Sequence, residues 1–270
     1  THPSGRRYEG QWQDGKVHGQ NTLTAPNGHN YEGQWKDGKL HGQGILKYPS
    51  GQRYEGKWQY GKKHGQGTFT WPNGDVYEGQ WQNGKRHGQG IYTSRLGWYE
   101  GQYQNNLKHG QGIQAWTDGQ RYEGWWHNGN RHGQGTFTWP NGSRYEGQWK
   151  DDKQHGQGIW KGADGQRYEG QYRDDQWHGQ GVWTLPNGRR YEGQFQNGQI
   201  KNGRMLRGES EVAKQRLSQQ RQGIARVRPR IPEGEPKSGS FMDKNDPRYP
   251  EAKAALEKRE KVRQAGVAGA

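Results

Sequence analysis

The chain has no cysteine and few hydrophobic residues. Without Cys it has no disulfides, no thiolate zinc ligands and no cysteine nucleophile. Only 26% of its 270 residues are hydrophobic, below the usual share for a globular domain. No apolar run approaches the roughly 18 residues that a membrane-spanning helix needs. A thick aliphatic core is therefore excluded, and any packing must use other side chains.

Aromatic residues and glycine make up the deficit. The chain has 14 Trp, 15 Tyr and 47 Gly. Each ring buries a large area and keeps a polar tip, so a thin core built from rings is feasible. The glycines recur at fixed spacing, which separates this sequence from low-complexity disorder.

The formal net charge is +14, and it is unevenly spread. Residues 1–203 carry 25 Lys/Arg against 18 Asp/Glu, and residues 204–270 carry 16 against 9. A basic balance favours anionic partners such as membranes or nucleic acid, although a solvated surface that keeps the rings soluble explains it equally well. The sequence begins without Met, at Thr1. We expect a membrane-associated location, either exported to a periplasm or on a cytoplasmic face.

A repeat of about 23 residues runs through most of the chain. We number each repeat from its Tyr-Glu-Gly tyrosine as position 0, and position +4 is always aromatic. These structural rings are Tyr8 and Trp12, Tyr31 and Trp35, Tyr54 and Trp58, Tyr77 and Trp81, Tyr99 and Tyr103, Tyr122 and Trp126, Tyr145 and Trp149, Tyr168 and Tyr172, and Tyr191 and Phe195.

Two turn signals punctuate each repeat. Asp-Gly or Asn-Gly recurs at +6/+7 and again at +19/+20, often with Pro before the second pair. Such pairs tolerate positive φ at both central residues, as type I′ hairpin turns require. Two reversals per repeat predict about 18 strands and, at about 4.8 Å each, a ribbon on the order of 85 Å long. The predicted fold is all-β: an elongated single-layer antiparallel β-meander solenoid of nine hairpin repeats over residues 1–207.

Strand alternation predicts which residues share a face. Positions 0, +2 and +4 lie on one side, and Glu at +1 and Gln at +3 lie on the other. A two-residue turn at +6/+7 places Gly at +13 opposite Tyr at 0, so that each ring lies over a glycine gap. The Glu side chains are expected to pair with Lys or Arg of a neighbouring strand.

The C-terminal segment differs in kind. The last repeat is degenerate, with Lys201-Asn202-Gly203 in place of His-Gly-Gln. Helix-favouring composition predicts a capping helix over 208–225, followed by an extended, proline-containing basic arm with a terminal helix over 226–270. We expect this arm to dock on a partner. Its candidate contacts are Arg226, Arg228, Arg230, Phe241 and Tyr249.

The pattern Tyr-Glu-Gly-x-Trp-x-x-Gly-x-x-His-Gly-x-Gly resembles the MORN (membrane occupation and recognition nexus) repeat over roughly residues 4–207. The resemblance implies a single-layer twisted sheet with a groove, used in membrane-associated scaffolds and for protein contact. Departures are local. Asn21 replaces a glycine, the fourth repeat is one residue short near Arg95–Trp98, and three turn glycines are replaced, by Asn106, Asp152 and Asp175.

Neither the histidines nor the glutamates of the repeat form a plausible catalytic or metal site. Eight repeats carry His at +10, but equivalent residues lie about 9.6 Å apart, whereas zinc holds nitrogen at about 2.0–2.1 Å. The Glu row has the same separation. His-Gly-Gln-Gly recurs in most repeats without a G-x-S-x-G partner, so it does not mark an oxyanion hole. We expect neither enzymatic activity nor a cofactor.

Six tryptophans lie outside the repeat's required positions: Trp98, Trp116, Trp125, Trp160, Trp177 and Trp183. They are candidate partner-binding residues if exposed; alternatively, the twist of the ribbon and neighbouring rings cover them. The predicted function is a scaffold adaptor that binds a protein through the ribbon and joins a larger, membrane-associated assembly through its arm. A membrane-surface tether that binds anionic lipid headgroups is the alternative, self-association stays open, and nucleic acid is disfavoured for lack of a recognition signature.

Overall fold

The computed structural model describes residues 4–206 and contains 18 strands in one sheet. Each strand pairs antiparallel with the next along the chain, and no helix occurs among the described residues. The predicted all-β antiparallel meander is therefore confirmed. The predicted capping helix, the arm and its five candidate contacts lie outside the described residues. The strands are β1 (Arg7–Gln13), β2 (Lys16–Thr24), β3 (Asn30–Lys36), β4 (Lys39–Lys47), β5 (Arg53–Gln59), β6 (Lys62–Thr70), β7 (Val76–Gln82), β8 (Lys85–Ser94), β9 (Gly97–Gln104), β10 (Leu107–Trp116), β11 (Arg121–His127), β12 (Asn130–Thr138), β13 (Arg144–Lys150), β14 (Lys153–Lys161), β15 (Arg167–Arg173), β16 (Gln176–Thr184), β17 (Arg190–Gln196) and β18 (Gln199–Leu206).

The turns at +6/+7 join the two strands of each repeat in the predicted type I′ geometry. Both central residues have positive φ, as at Asp14 (50°) and Gly15 (70°). Where glycine is missing at +7, Asn or Asp adopts the same conformation, as Asp152 does at 69°. Asn and Asp tolerate this region better than other non-glycine residues, so the substitutions leave the hairpin intact.

The turns between repeats differ from the prediction. In the first, Gly28 donates its N–H to the Ala25 carbonyl at 2.9 Å, and only Gly28 has positive φ, at 82°. This is a turn with proline at its second place followed by a left-handed glycine. The type I′ prediction is wrong here because Ala25 and His29 pair across a loop of three residues, whereas a type I′ hairpin turn has two. In the fourth repeat the two residues Arg95–Leu96 replace this loop, which accounts for the missing residue.

The predicted pairing of Tyr with Gly at +13 is also wrong. In β5–β6, Tyr54 faces Phe69, and the glycine at +2 faces the glycine at +13. The register shifts because His64–Gln66 forms a bulge that puts two extra residues opposite Lys57. A shift by an even number preserves the faces, so the rings remain on one side of the sheet.

In repeats two to eight, each tyrosine ring nevertheless lies over the glycine at +13. A Cβ added at Gly67 would lie 2.4 Å from the Tyr54 hydroxyl oxygen. The hydroxyl donates to the carbonyl of Lys57 at 2.9 Å, which is the group that the bulge separates from the hairpin ladder. The bulge and the buried tyrosine therefore depend on each other, and the glycine makes room for both.

The rings of successive repeats interlock along the sheet. Tyr54 packs edge to face on Trp58 of its own repeat at 5.0 Å and on Trp81 of the next at 5.4 Å. The same two contacts recur from Tyr8 to Tyr168, and the tyrosines of repeats two to eight are fully buried. Edge-to-face ring pairs contribute about 0.5–1.5 kcal/mol beyond area burial. This continuous line of rings is the core.

The two end repeats depart from this pattern for visible reasons. In the first, the Asn21 side chain takes the place of the tyrosine hydroxyl and donates to the carbonyl of Gln11 at 2.9 Å. In the last, Ile200 fills the space next to Gly203 that a tyrosine ring covers elsewhere. Trp12, in the first repeat, is 53% exposed, whereas the central tryptophans at +4 are buried.

Candidate functional site on the aromatic face

One face of the sheet carries the rings, and we call it the aromatic face. Positions 0 and +4 form its buried floor, and +9, +15 and +17 from the second strand of each repeat lie above them. Many of these upper side chains contact the floor on one side and solvent on the other. The half-buried apolar members are Leu23, Leu40, Leu46, Tyr48, Trp71, Tyr92, Trp116, Trp139, Trp160, Trp177, Trp183 and Ile200.

The six candidate tryptophans divide between the two faces. Trp98 and Trp125 lie on the opposite, polar face, at positions equivalent to Arg at +22 and Gln at +3. Trp125 is 37% exposed. The other four lie half-buried on the aromatic face, so four of the six tryptophans singled out from the sequence share one face. These four are Trp116, Trp160, Trp177 and Trp183.

Three of them form a cluster over repeats seven and eight. Trp177 stacks on Tyr168 with a centroid distance of 4.2 Å and an interplanar angle of 6°. Its centroid lies 6.1 Å from that of Trp160 and 6.0 Å from that of Trp183. The C-terminal part of the aromatic face therefore presents a contiguous apolar surface.

The central part of the aromatic face is cationic. Position +9, where Trp177 stands in repeat eight, is basic in repeats three to six. Lys63 Nζ lies 4.0 Å from the ring centroid of Phe69, and Arg131 Cζ lies 4.4 Å from that of Trp149. A cation within about 6 Å of a ring face is attracted by the ring quadrupole. We call these four residues the cation row: Lys63, Arg86, Lys108 and Arg131.

The two arginines of the row are tied to the turn of the following repeat. Arg131 Nε lies 3.0 Å from Asp152 Oδ1, and the backbone N–H of Arg131 donates to the same oxygen at 2.9 Å. Arg86 donates from its guanidinium to the Asn106 carbonyl at 2.9 Å. Where +7 is Asn or Asp, its side chain thus fastens the turn to the preceding repeat, which gives these departures from glycine a structural role.

The two lysines of the row have no such anchor. Within residues 4–206, no carboxylate lies within ion-pair distance of Lys63 or Lys108, and Lys108 donates to the Gln114 side chain. Burial lowers the pKa of each ammonium group to about 8. Both side chains therefore retain much of their charge near neutral pH, in a partly desolvated setting.

The polar face holds the Glu and His rows. Contrary to the prediction, most Glu side chains pair with Arg two residues earlier on the same strand, as in Arg121 with Glu123 at 2.8 Å. The cross-strand pair that was expected occurs once among the described pairs, between Arg204 and Glu192. His at +10 begins each regular bulge. No cluster of three or more His, Asp or Glu in residues 4–206 is placed to hold a metal ion.

Sequence reasoning missed the cation row, although a signal existed. Position +9 lies opposite +4 whether or not the bulge is recognised, because the bulge follows it. The basic residues at +9 could therefore have been assigned to the ring-bearing face. They were counted only in the overall charge.

Comparisons with known proteins agree with the repeat pattern. The MORN repeat family matches residues 8–30, 31–53, 54–76, 77–95, 99–121, 122–144, 145–167, 168–189 and 191–201. Comparison with curated proteins gives no match. Nothing helical in the described part of the chain is long and apolar enough to span a bilayer.

Two solved structures match the chain at low sequence identity. The TCP domain of Drosophila melanogaster SAS-4, in complex with a proline-rich motif of Ana2, is 16% identical over 69% of this chain and 97% of that chain, with a TM-score of 0.36. A point mutant of the TCP10 domain of Danio rerio CPAP is 13% identical over 76% of this chain and 96% of that chain, with a TM-score of 0.40.

Proposed function

Because the chain belongs to the MORN repeat family, whose repeats are commonly structural or bind proteins or membranes, we propose that it is a non-catalytic scaffold adaptor. Its aromatic face binds a protein partner, and its C-terminal arm joins a larger, membrane-associated assembly. The carrying observation is the upper layer of the aromatic face, where half-buried rings form a contiguous surface with solvent on one side. Exposed apolar patches of this kind mark interaction sites.

The composition of this surface supports protein recognition. Tyr, Trp and Arg dominate the binding energy of protein interfaces because they bury large areas and keep a polar tip. Trp71 packs on Phe69 below it with a centroid distance of 4.5 Å, and Trp139 packs on Phe137 at 4.7 Å. Rings that are already held in place lose little conformational entropy on binding.

The test compares tryptophans on the two faces. Trp71 and Trp139 are changed to Ala together in the full chain, and Trp98 and Trp125 are changed together as the matched control. Circular dichroism confirms that both variants fold. We expect the first variant to lose a partner captured from the source cells, with at least about a tenfold weaker affinity once that partner is purified. Equal losses in both variants would reject the aromatic face as the binding surface.

The role of the arm is tested separately. A chain that ends at residue 225 should keep the partner that depends on Trp71 and Trp139 but fail to enter the larger assembly, as followed by sedimentation of cell extracts. If the truncated chain sediments with the assembly as the full chain does, the arm has no docking role.

A further inference from the structure

The cation row is not required by the fold. The same position holds Val17 and Leu40 in the first two repeats and Ile200 in the last, and the rings pack normally beneath Leu40. Placing Lys63 among rings without a counter-ion instead costs desolvation energy. Side chains that are costly for folding, and that an aliphatic residue could replace, point to a ligand of opposite charge.

Accepting the proposed function, we propose that the aromatic face between Lys63 and Arg131 binds an extended acidic segment of a partner protein, with one carboxylate at each member of the cation row. The ammonium groups of Lys63 and Lys108 supply the unpaired charges. Arg86 lies between the two lysines in the row, and Arg131 follows Lys108. The turns of the next repeats hold both guanidinium groups, which retain further N–H donors for a carboxylate. Rings on either side of each cation take the apolar residues of the segment.

The repeat spacing specifies the pattern of the segment. Equivalent residues of adjacent repeats are two strands apart, about 9.6 Å. A polyproline II helix advances about 3.1 Å per residue with three residues per turn, so every third side chain faces the same side, whereas a β-strand alternates its side chains. A segment that runs along the sheet, across the strands, therefore meets successive cations with every third residue. The expected motif has Asp or Glu at i, i+3, i+6 and i+9.

Charge argues against other occupants. Residues 204–270 of the chain itself carry 16 Lys/Arg against 9 Asp/Glu, and a second copy brings a net charge of +14. Both would repel the cation row. Anionic lipid headgroups have the right sign, but they form a flat surface, whereas these cations are half-buried beside Tyr92 and Phe69. A single extended chain can reach them.

The test uses synthetic peptides and the full-length chain. The first peptide contains four Glu-Pro-Ala triplets. The second has the same composition with its four Glu contiguous, and the third has Lys in place of Glu. Affinities are measured by isothermal titration calorimetry at two salt concentrations. We expect the triplet peptide to bind at least about tenfold more tightly than either control, and more weakly at high salt.

Matched variants assign the binding to the row. Lys63→Leu with Lys108→Leu removes two charges from the aromatic face at a position where Leu40 already fits. Lys62→Leu with Lys85→Leu removes two charges from exposed residues on the polar face. The first pair should weaken the triplet peptide at least about tenfold, and the second pair by less than about twofold.

Three results would overturn the proposal: no binding of the triplet peptide, equal binding of the contiguous-Glu peptide, or equal losses in the two variant pairs. Row-dependent binding to phosphatidylserine vesicles without peptide binding would also overturn it, in favour of a lipid ligand. If the peptides fail while capture of the natural partner still depends on Trp71 and Trp139, only the acidic chemistry is rejected. The scaffold function then stands.

Discussion

The tyrosine hydroxyl at position 0 satisfies a backbone group that the hairpin ladder leaves without a partner. In the fourth repeat, Tyr77 donates to the carbonyl of Gln80 at 2.9 Å, beneath a bulge that prevents strand pairing at that residue. A buried carbonyl left unsatisfied costs roughly 1–3 kcal/mol. The repeat therefore requires a hydroxyl at this position in addition to an aromatic ring.

Tyr77→Phe should lower the free energy of unfolding by about 1–2 kcal/mol, because the Gln80 carbonyl loses its donor while ring packing is unchanged. Tyr8→Phe is the control, since Asn21 already supplies the donor in that repeat, and it should cost less than about 0.5 kcal/mol. Urea unfolding followed by tryptophan fluorescence measures both. Equal effects would mean that the hydroxyl bond contributes nothing measurable.

The buried lysines and tyrosines give stability a defined pH dependence. Burial lowers the pKa of Lys63 and Lys108 to about 8, below the unfolded value of 10.5. Between these values the unfolded chain binds more protons, so stability rises with pH. Burial raises the pKa of the core tyrosines, such as Tyr77, far above 10. Above pH 10 the unfolded chain therefore loses protons first, and stability falls.

We expect the urea midpoint to rise between pH 8 and pH 10 and to decline above it. The Lys63→Leu, Lys108→Leu variant should lose the rise and be more stable than the natural chain at pH 7, because the desolvation cost of the two ammonium groups is removed. The Lys62→Leu, Lys85→Leu variant should keep the natural profile. A rise that persists unchanged without Lys63 and Lys108 would contradict this assignment.

Each hairpin is defined by its bulge, which the local sequence pattern does not reveal. The period, the two turns and the shared face of the rings follow directly from spacing and alternation. The register of the hairpin does not follow from spacing and alternation. The His-Gly-Gln segment adds two residues opposite +3 only when the tyrosine hydroxyl and the +3 glutamine supply the missing hydrogen bonds. Those long-range partners cannot be read from a local pattern. The basic residues at +9, in contrast, could have been placed correctly.

The glycine at +11 is the residue on which the bulge turns. Gly88 has φ of +63°, and an added Cβ would lie 1.9 Å from Gln80 Oε1, which accepts the N–H of Gln89 at 2.9 Å. Gly88→Ala should therefore combine about 1 kcal/mol or more of backbone strain with about 1 kcal/mol for the displaced hydrogen bond.

Gly84→Ala provides the comparison for this substitution. Gly84 also has positive φ, 84°, but an added Cβ would meet no atom within 4 Å. Only the strain contributes, so its loss in unfolding free energy should be about half that of Gly88→Ala. Chemical denaturation of both variants measures the difference. A Gly84→Ala loss as large as that of Gly88→Ala would show that displacing the Gln80 hydrogen bond adds nothing measurable to the backbone strain.

At the scale of the whole sheet, each repeat contacts its two neighbours through the same ring pairs. Stability in such arrays is approximately a sum of repeat and interface terms, so a complete repeat can be removed without disturbing the others. Deleting residues 31–53 joins two repeats at the same phase, with Tyr8 meeting Trp58 in place of Trp35. Deleting residues 77–98 does the same in the centre but removes Arg86 from the cation row.

These two deletions separate the length of the sheet from the length of the row. Both chains should fold, with the tyrosines still buried. The first keeps all four cations in succession and should bind the triplet peptide within about twofold of the natural chain. The second retains three, so one Glu loses its partner and affinity should fall severalfold, as measured by calorimetry. The two deletions should differ only if each Glu of the peptide contacts the cation of one repeat. Equal affinities after the two deletions would therefore contradict this one-to-one pairing.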